Sequence, residues 1–514
     1  MKANGAPPPR KAWPTVLLTG IISVVFVLAL SGIHVQTEAI QQNESLEAFS
    51  AHLSKRTAAL MALYEIPGVS IALAADGKLV FSSAFGYAQK ETGRKLTTGT
   101  PMRVQSISKP VTAYGILKLQ EQGKINLDAP VTQYLKSWTF PASKYPTEGI
   151  TVRQLLSHTA GLPLGDVFTL YDPNDDMPTL HGKLTKEATA VIEPGTAFSY
   201  SNTGYHLLEL LIQDVTGRDF SQFMEEEVLL PLGMTHSSFA WREELRPLVP
   251  TGYGLGGKPV PVYVYPEKSS GGLFATAEDI LSFVTAGMPG FTRDGTVLSG
   301  TSIHTLYTPA SNKLGIYSLV FEGYGLGYYL ETLPRGRKAV SHGGQGTGIM
   351  THFHAVPETG DAIVILTNSQ RSWPFIASLL GDWARWRGFS PIGMERLLLA
   401  QYSLWAVIGI IWWAMLLKVV LRVTGMGHTK RKGTLHAKCT LLRRFAQGGT
   451  AILLLAVLGW CLSQKYLFLT SVFPRVSLWL GITAFALAIL LMLFAVIPHQ
   501  KTQSAAGAKT AGKA

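Results

Sequence analysis

Ser106 and Lys109, in the run Arg103-Val-Gln-Ser-Ile-Ser-Lys-Pro110, set a hydroxyl and an amine three residues apart, a spacing that shares one helix face. Serine is a weak nucleophile at its own pKa and needs a positioned base or cation, so a Ser-x-x-Lys at a helix start is a candidate acyl-transfer centre. Alone it reads more readily as an ordinary N-cap serine followed by a surface lysine. Beyond Pro110, Val111, Tyr114, Ile116, Leu117 and Leu119 recur at helical spacing, and Gly123 supplies a stop. Proline is tolerated only in the first turn, which puts the helix start near Ser106, where free N–H groups and the helix dipole favour developing negative charge.

Two further stretches bear on that choice. Pro194-Gly-Thr-Ala-Phe-Ser-Tyr200-Ser-Asn202-Thr-Gly204 is turn-rich and leads into the apolar run Tyr205 to Val215, which predicts a loop presenting Tyr200 and Asn202. Ser341-His342-Gly343-Gly344-Gln345-Gly346 precedes an apolar strand, and its small residues would let a substrate backbone approach a sheet edge. Each has a plain alternative, a turn in the first case and a bulge in the second.

Taken in order, Ser-x-x-Lys, Tyr-x-Asn and His-Gly-Gly resemble the serine beta-lactamase and penicillin-binding-protein superfamily, and within it the class C beta-lactamase-related branch. The resemblance extends over His158-Thr-Ala-Gly-Leu-Pro163, Pro231-Leu-Gly-Met-Thr235 and Ser270-Gly-Gly-Leu-Phe-Ala-Thr276-Ala-Glu-Asp279, roughly residues 50 to 390. It implies that Ser106 attacks a carbonyl and carries the acyl group. Tyr200, hydrogen-bonded to Lys109, would take the serine proton, which requires a phenol pKa below its usual value of about 10. The backbone N–H groups of Ser106 and Gln345 would form the oxyanion hole, and Asn202 would bond the substrate amide or Lys109. The family's third box is commonly Lys-Thr-Gly, whose cation and hydroxyl hold a substrate carboxylate. Here His342, Gly343 and Gly344 stand there, and a mostly neutral imidazole weakens that anchor. Peptide or ester substrates are therefore expected over efficient beta-lactam hydrolysis.

The coarse pattern predicts an α+β fold. Val69 to Ala75, Asp76-Gly77 and Leu79 to Tyr87 read as a type I′ hairpin. Thr351 to Val356, the turn Pro-Glu-Thr-Gly-Asp and Ala362 to Thr367 read as a second. Strands from both ends would form one antiparallel sheet flanked by helices, with a helical subdomain inserted and the site at the junction. Thr276-x-x-Asp279 reads as a structural capping box, and His158 as a loop hydrogen-bonder. His352 and His354 share one strand face, but no third ligand stands nearby in sequence, so no metal and no cofactor are expected.

The rest of the chain reads as membrane-spanning. Hydrophobic residues make up 47% of the 514, concentrated in Val16 to Gly32, Leu398 to Val420, Ala446 to Gln464 and Val476 to Ile497, near the roughly 20 residues a span needs. The first follows a basic n-region and could be a signal peptide, but Ala29-Leu-Ser31 is a poor cleavage site, which favours an uncleaved anchor. All 33 acidic residues lie between Glu38 and Glu395, a segment that with Arg396 holds 29 of the 45 Lys and Arg and so is net −4; the other 16 basic residues lie in the acid-free remainder and bring the chain to +12. Eight of those remaining basic residues fall between Lys418 and Arg444. The positive-inside rule then puts the N-terminus, that loop and the tail in the cytoplasm and the catalytic domain outside. The expected organisation is 1–37 n-region and anchor, 38–395 extracytoplasmic hydrolase domain, 396–498 three spans with basic loop 418–444, and 499–514 tail. Cys439 and Cys461 both lie outside the exported domain, so it forms no disulfide, and no nucleic-acid motif accompanies the basic charge.

Three spans after the domain exceed what anchoring requires. The layout resembles membrane-bound prodrug-activating peptidases that remove an N-acyl-D-asparagine cap, although Asn202 stands where those enzymes carry a small hydroxyl. The sequence thus predicts a membrane-anchored serine hydrolase acting through an acyl-enzyme on small peptide, ester or peptidoglycan-like substrates. Its alternatives are a prodrug-activating peptidase and an acylated sensor that does not turn over.

Overall fold

The computed structural model describes residues 13–32, 40–167, 169–288, 290, 297–424, 434–464 and 467–497, without side chains for 434–440. The expected basic n-region, the tail, and most of the link from Thr424 to Thr434 lie outside the described residues. The chain divides into two compact units, one of residues 35–400 with 471–473 and the other of the remaining chain.

The first unit is built on one antiparallel sheet. Its strands and those of two small side sheets are, in chain order, β1 Gly68–Ala75, β2 Lys78–Gln89, β3 Arg94–Lys95, β4 Met102–Arg103, β5 Gly252–Tyr253, β6 Pro259–Val260, β7 Phe274–Ala275, β8 Gly323–Tyr324, β9 Tyr329–Thr332, β10 Lys338–Gly346, β11 Ile349–Val356 and β12 Asp361–Thr367. The eight-stranded order is β3-β2-β1-β12-β11-β10-β9-β8. Chain-terminal hairpins therefore meet in its centre, with Val69 opposite Thr367. Ala75 pairs with Lys78 across Asp76 and Gly77, whose φ angles of 50° and 68° are those of the expected type I′ turn.

Both faces of the sheet are covered, which is why β12 reads Ala-Ile-Val-Ile-Leu without alternation. Val364 and Leu366 belong to a core shared with helices Ser108–Glu121, Asn202–Thr216 and Ala277–Ala286. Ile363 and Ile365 face a second core with helices Leu46–Tyr64 and Trp373–Arg387. The residues between β4 and β7 form the inserted helical part. The capping box is only half made. Thr276 Oγ1 accepts from Asp279 N at 3.1 Å, but the Asp279 carboxylate turns away to His236 N and Ser237 Oγ, both at 2.8 Å.

The second unit contains four helices long and apolar enough to cross a membrane, within Trp13–Ser31, Glu395–Thr424, Leu441–Ser463 and Pro474–Val496. Phe26 packs on Trp412 and Trp479, and Trp412 Nε1 donates to Thr483 Oγ1 at 2.9 Å. Arg422 and Arg444 donate to the last carbonyls of the fourth helix, Ala495 to Ile497. Arg475, at that helix's other end, donates to Leu30 O. The end of the second helix, the start of the third and the end of the fourth thus lie together, opposite the end of the first.

Candidate active site

The nucleophile turn is made by backbone strain and a helix start in succession. Gln105 has φ of +54°, a left-handed conformation uncommon for a residue with a side chain. Its carboxamide is pinned between the hydroxyls of Tyr263 (2.9 Å) and Tyr265 (3.3 Å). A 3₁₀ turn over Gln105–Ile107 then runs into the helix Ser108–Glu121, close to the start expected from Pro110. Ser106 is half-buried, and Lys109 is fully buried one turn on.

Lys109 Nζ lies 3.1 Å from Ser106 Oγ and donates to Ser270 O at 2.8 Å. It stands 4.9 Å from the centre of the Tyr200 ring, and among the described contacts it makes no bond to Asn202. The expected Lys109–Tyr200 hydrogen bond is not formed. Burial instead pushes the Tyr200 phenol well up, and its bond to Ser106 draws it partly back down. This reverses the expected direction for Tyr200. Burial also drives Lys109 well below its ordinary value, because no carboxylate accompanies it into the low-dielectric interior. Both shifts favour a neutral amine and a neutral phenol beside one serine hydroxyl.

Asn202 is the first residue of helix Asn202–Thr216, capped by Ser201, so it sits on a helix end rather than a loop. His158 Nδ1 accepts from Ser201 N at 3.1 Å and its ring lies 4.3 Å from that of Tyr200. The hydrogen-bonding reading of His158 therefore holds, and it holds the Tyr200 loop. His342 to Gln345 lie within β10 and precede the apolar strand β11, as expected. Pairing with β9 stops at Ser341, so from His342 onward the strand has β11 on one side only and forms a local edge. Gly344 lies against the nucleophile turn: a Cβ there would come within 2.2 Å of Val104 O and 2.3 Å of Thr351 Oγ1. A Cβ at Gly343 would meet Trp373 at 2.6 Å. Gln345 Oε1 accepts from Trp373 Nε1 at 2.8 Å, so its side chain is tied down.

The His342 ring is 1% exposed and lies among Tyr200, Tyr324 and Tyr329. Its Nδ1 donates to Gly343 O (2.8 Å), which leaves Nε2 to accept from Tyr324 (3.3 Å). Burial and the nearby Lys109 push its pKa down to about 3. The imidazole is neutral, as expected, but it faces inward, so a ligand at this edge would meet backbone rather than ring.

The structure adds groups with no sequence signal. His206 Nε2 is 2.9 Å from Ser270 Oγ, which ties Lys109's carbonyl partner to a buried cluster of Glu267, Lys183, Glu187 and Asp166. Ligand atoms of Glu187, His206 and Glu267 lie within 4.8 Å of one another, a spacing suited to a metal ion. Lys183 Nζ already occupies that place, 2.8 Å from Glu187 and 3.5 Å from Glu267. Glu331, distant in sequence, reaches His354 Nε2 at 3.0 Å, which the strand spacing of His352 and His354 could not foretell.

A family model described as Beta-lactamase matches residues 53–378. The chain is similar to Penicillin-binding protein 4 of Amycolatopsis lactamdurans, 28% identical over 341 residues, 65% of this chain and 88% of that one. It is also similar to the structure of the octameric penicillin-binding protein homologue from Pyrococcus abyssi, with TM-score 0.55 and 28% identity over 66% of this chain and 78% of that one. The D-alanine carboxypeptidase AmpC from Burkholderia cenocepacia shares the fold, with TM-score 0.51 and 23% identity over 63% of this chain and 95% of that one.

Proposed function

Because this chain belongs to the beta-lactamase family and is a serine hydrolase of the penicillin-binding type, we propose that it is a membrane-anchored enzyme that cleaves peptides or esters through an acyl group on Ser106. The observation that carries the reading is the 3.1 Å approach of Lys109 Nζ to Ser106 Oγ, with Tyr200 on the same hydroxyl. Ser106 attacks the carbonyl carbon while its proton passes to the neutral Lys109 amine. The N–H groups of Ser106 and Gln345 receive the developing oxyanion, a contribution of about 100- to 1000-fold per donor in comparable sites. The proton leaves with the amine or alcohol, relayed by the Tyr200 phenol, and water enters by the reverse path. Lys109 and Tyr200 act as one acid–base unit, and Asn202, at the head of its helix, faces the acyl amide. The absence of a cation at His342 disfavours substrates held by a terminal carboxylate at that strand.

Membrane placement rests on the four apolar helices and on charge. With Arg422 and Arg444 at one end of the helical unit, the positive-inside rule sets that end in the cytoplasm. The hydrolase unit, attached ahead of Glu395, then lies outside.

The test is covalent labelling. A fluorophosphonate or beta-lactam probe modifies Ser106 in the wild-type chain and in Ser108→Ala, but not in Ser106→Ala. Labelling elsewhere, or none, removes the acyl-enzyme reading. With an ester substrate in place of the phosphonate, an acyl group that stays on Ser106 for hours in the wild-type chain favours the sensor over the hydrolase.

A further inference from the structure

Gln345 is held at both ends of its carboxamide by residues distant in the chain. Trp373 Nε1 donates to Gln345 Oε1 at 2.8 Å, and Gln345 Nε2 donates to Ser471 Oγ at 2.8 Å. Trp373 opens the helix Trp373–Arg387 of the second core. Ser471 comes from elsewhere, the short helix Phe468–Val472 on the link between the apolar helices Leu441–Ser463 and Pro474–Val496. Of that link, Ser471, Val472 and Phe473 belong to the first unit, while the residues on either side do not. All three are buried, Ser471 completely. A hydroxyl shut away from water thus meets a strand residue 126 positions earlier.

The strand needs support at that point. From His342 onward β10 is paired with β11 alone, so its open edge lacks the ladder bonds that fix an interior strand. Gly343 and Gly344 have no side chain to tether, and Gln345 is the first residue after them that has one. An oxyanion donor contributes by being aimed before the reaction begins, and small misplacements at a reacting centre are costly.

We infer that Ser471 is a positioning residue of the acyl-transfer centre: by holding the Gln345 side chain against Trp373, it fixes the direction of the Gln345 backbone N–H. The inference rests on the proposed role of that N–H in the oxyanion hole. Ser471 acts through Gln345 and takes no part in bond making. The two apolar helices that flank it in the chain thereby have a task beyond anchoring, one that a single span after the hydrolase domain could not perform.

The experiment measures phosphonylation of Ser106 by a fluorophosphonate in the full chain in lipid nanodiscs, resolved into probe affinity and limiting rate, because the phosphonyl oxygen enters the same hole. Ser471→Ala lowers the limiting rate about fivefold, the worth of one hydrogen bond between neutral groups, and leaves the affinity unchanged. Ser471→Thr keeps the hydroxyl and the wild-type rate. In a Gln345→Ala background, Ser471→Ala has no further effect, since the bond it removes is already gone. Should Ser471→Ala fail to fold, Ser471→Cys, which keeps the volume and weakens the acceptor, takes its place in the same cycle. A labelled wild-type chain with an equal limiting rate in Ser471→Ala, an equal loss in Ser471→Thr, a loss confined to affinity, or a further loss in the Gln345→Ala background overturns the inference and leaves the acyl-enzyme reading standing. A wild-type chain that is not labelled at Ser106 overturns both.

Discussion

Two buried lysines, on helices that both contact helix Asn202–Thr216, lie in opposite electrical surroundings. Lys183 is met by Asp166, Glu187 and Glu267, and these carboxylates hold its pKa above the ordinary lysine value against the cost of burial. Lys109 is met by a serine hydroxyl and a carbonyl, and burial alone drives it down. Burial therefore does not fix the state of an amine; the carboxylates brought in with it do. One lysine is held as a cation, and the other is left able to lose its proton.

The contrast is broken most severely at Lys109. Lys109→Arg puts a permanent cation where the neutral amine stands, so phosphonylation of Ser106 by a fluorophosphonate falls by about 100- to 10,000-fold; a rate near wild type would show that a cation suffices. Tyr200→Phe removes the relay and slows turnover of an ester about 100-fold, read as kcat with the rate of labelling less affected. Lys183→Met leaves Glu267 and Glu187 without their cation and costs roughly 3 kcal/mol of unfolding free energy, while labelling of the folded fraction stays within a few-fold of wild type. His206→Ala acts one contact further out, through Ser270; it lowers kcat about threefold and shifts the acid limb of the pH–rate profile, a change that simple loosening would not make.

The pH dependence sharpens the same point. Acylation requires the neutral Lys109 amine, so the rate is lost as pH falls through a pKa well below the usual lysine range. Stability has its own acid limb. His342 titrates at about 3 in the folded chain and near 6.5 when unfolded, so the unfolded state binds the extra proton between those values. Its contribution is complete above about pH 6.5 and is lost progressively down to about pH 3, visible as a falling urea midpoint that His342→Gln flattens.

Local features of this site were legible because they are written in neighbouring residues. Ser106, Lys109 and Pro110 encode a helix start within one turn, and Asp76-Gly77 encodes a hairpin. What was not legible depends on residues far apart in the chain. Glu267 and Ser270 share one loop while His206 lies on the helix Asn202–Thr216, and nothing in their spacing places them behind Lys109. The inward turn of His342 follows from the aromatic residues Tyr200, Tyr324 and Tyr329 around it, and of these only Tyr200 belongs to a motif. The Tyr200 shift was expected in the wrong direction because proximity of an ammonium was assumed where the interior has removed the charge.

The central seam of the sheet, where Val69 lies opposite Thr367, bears on how this protein is made. A hairpin completed early in synthesis must wait for strands from the far end of the same domain before it gains its neighbour. Such distant pairing is slow to close. Until the last strands arrive, the β1 edge of that hairpin is an unpaired row of backbone donors and acceptors, open to pairing with another chain.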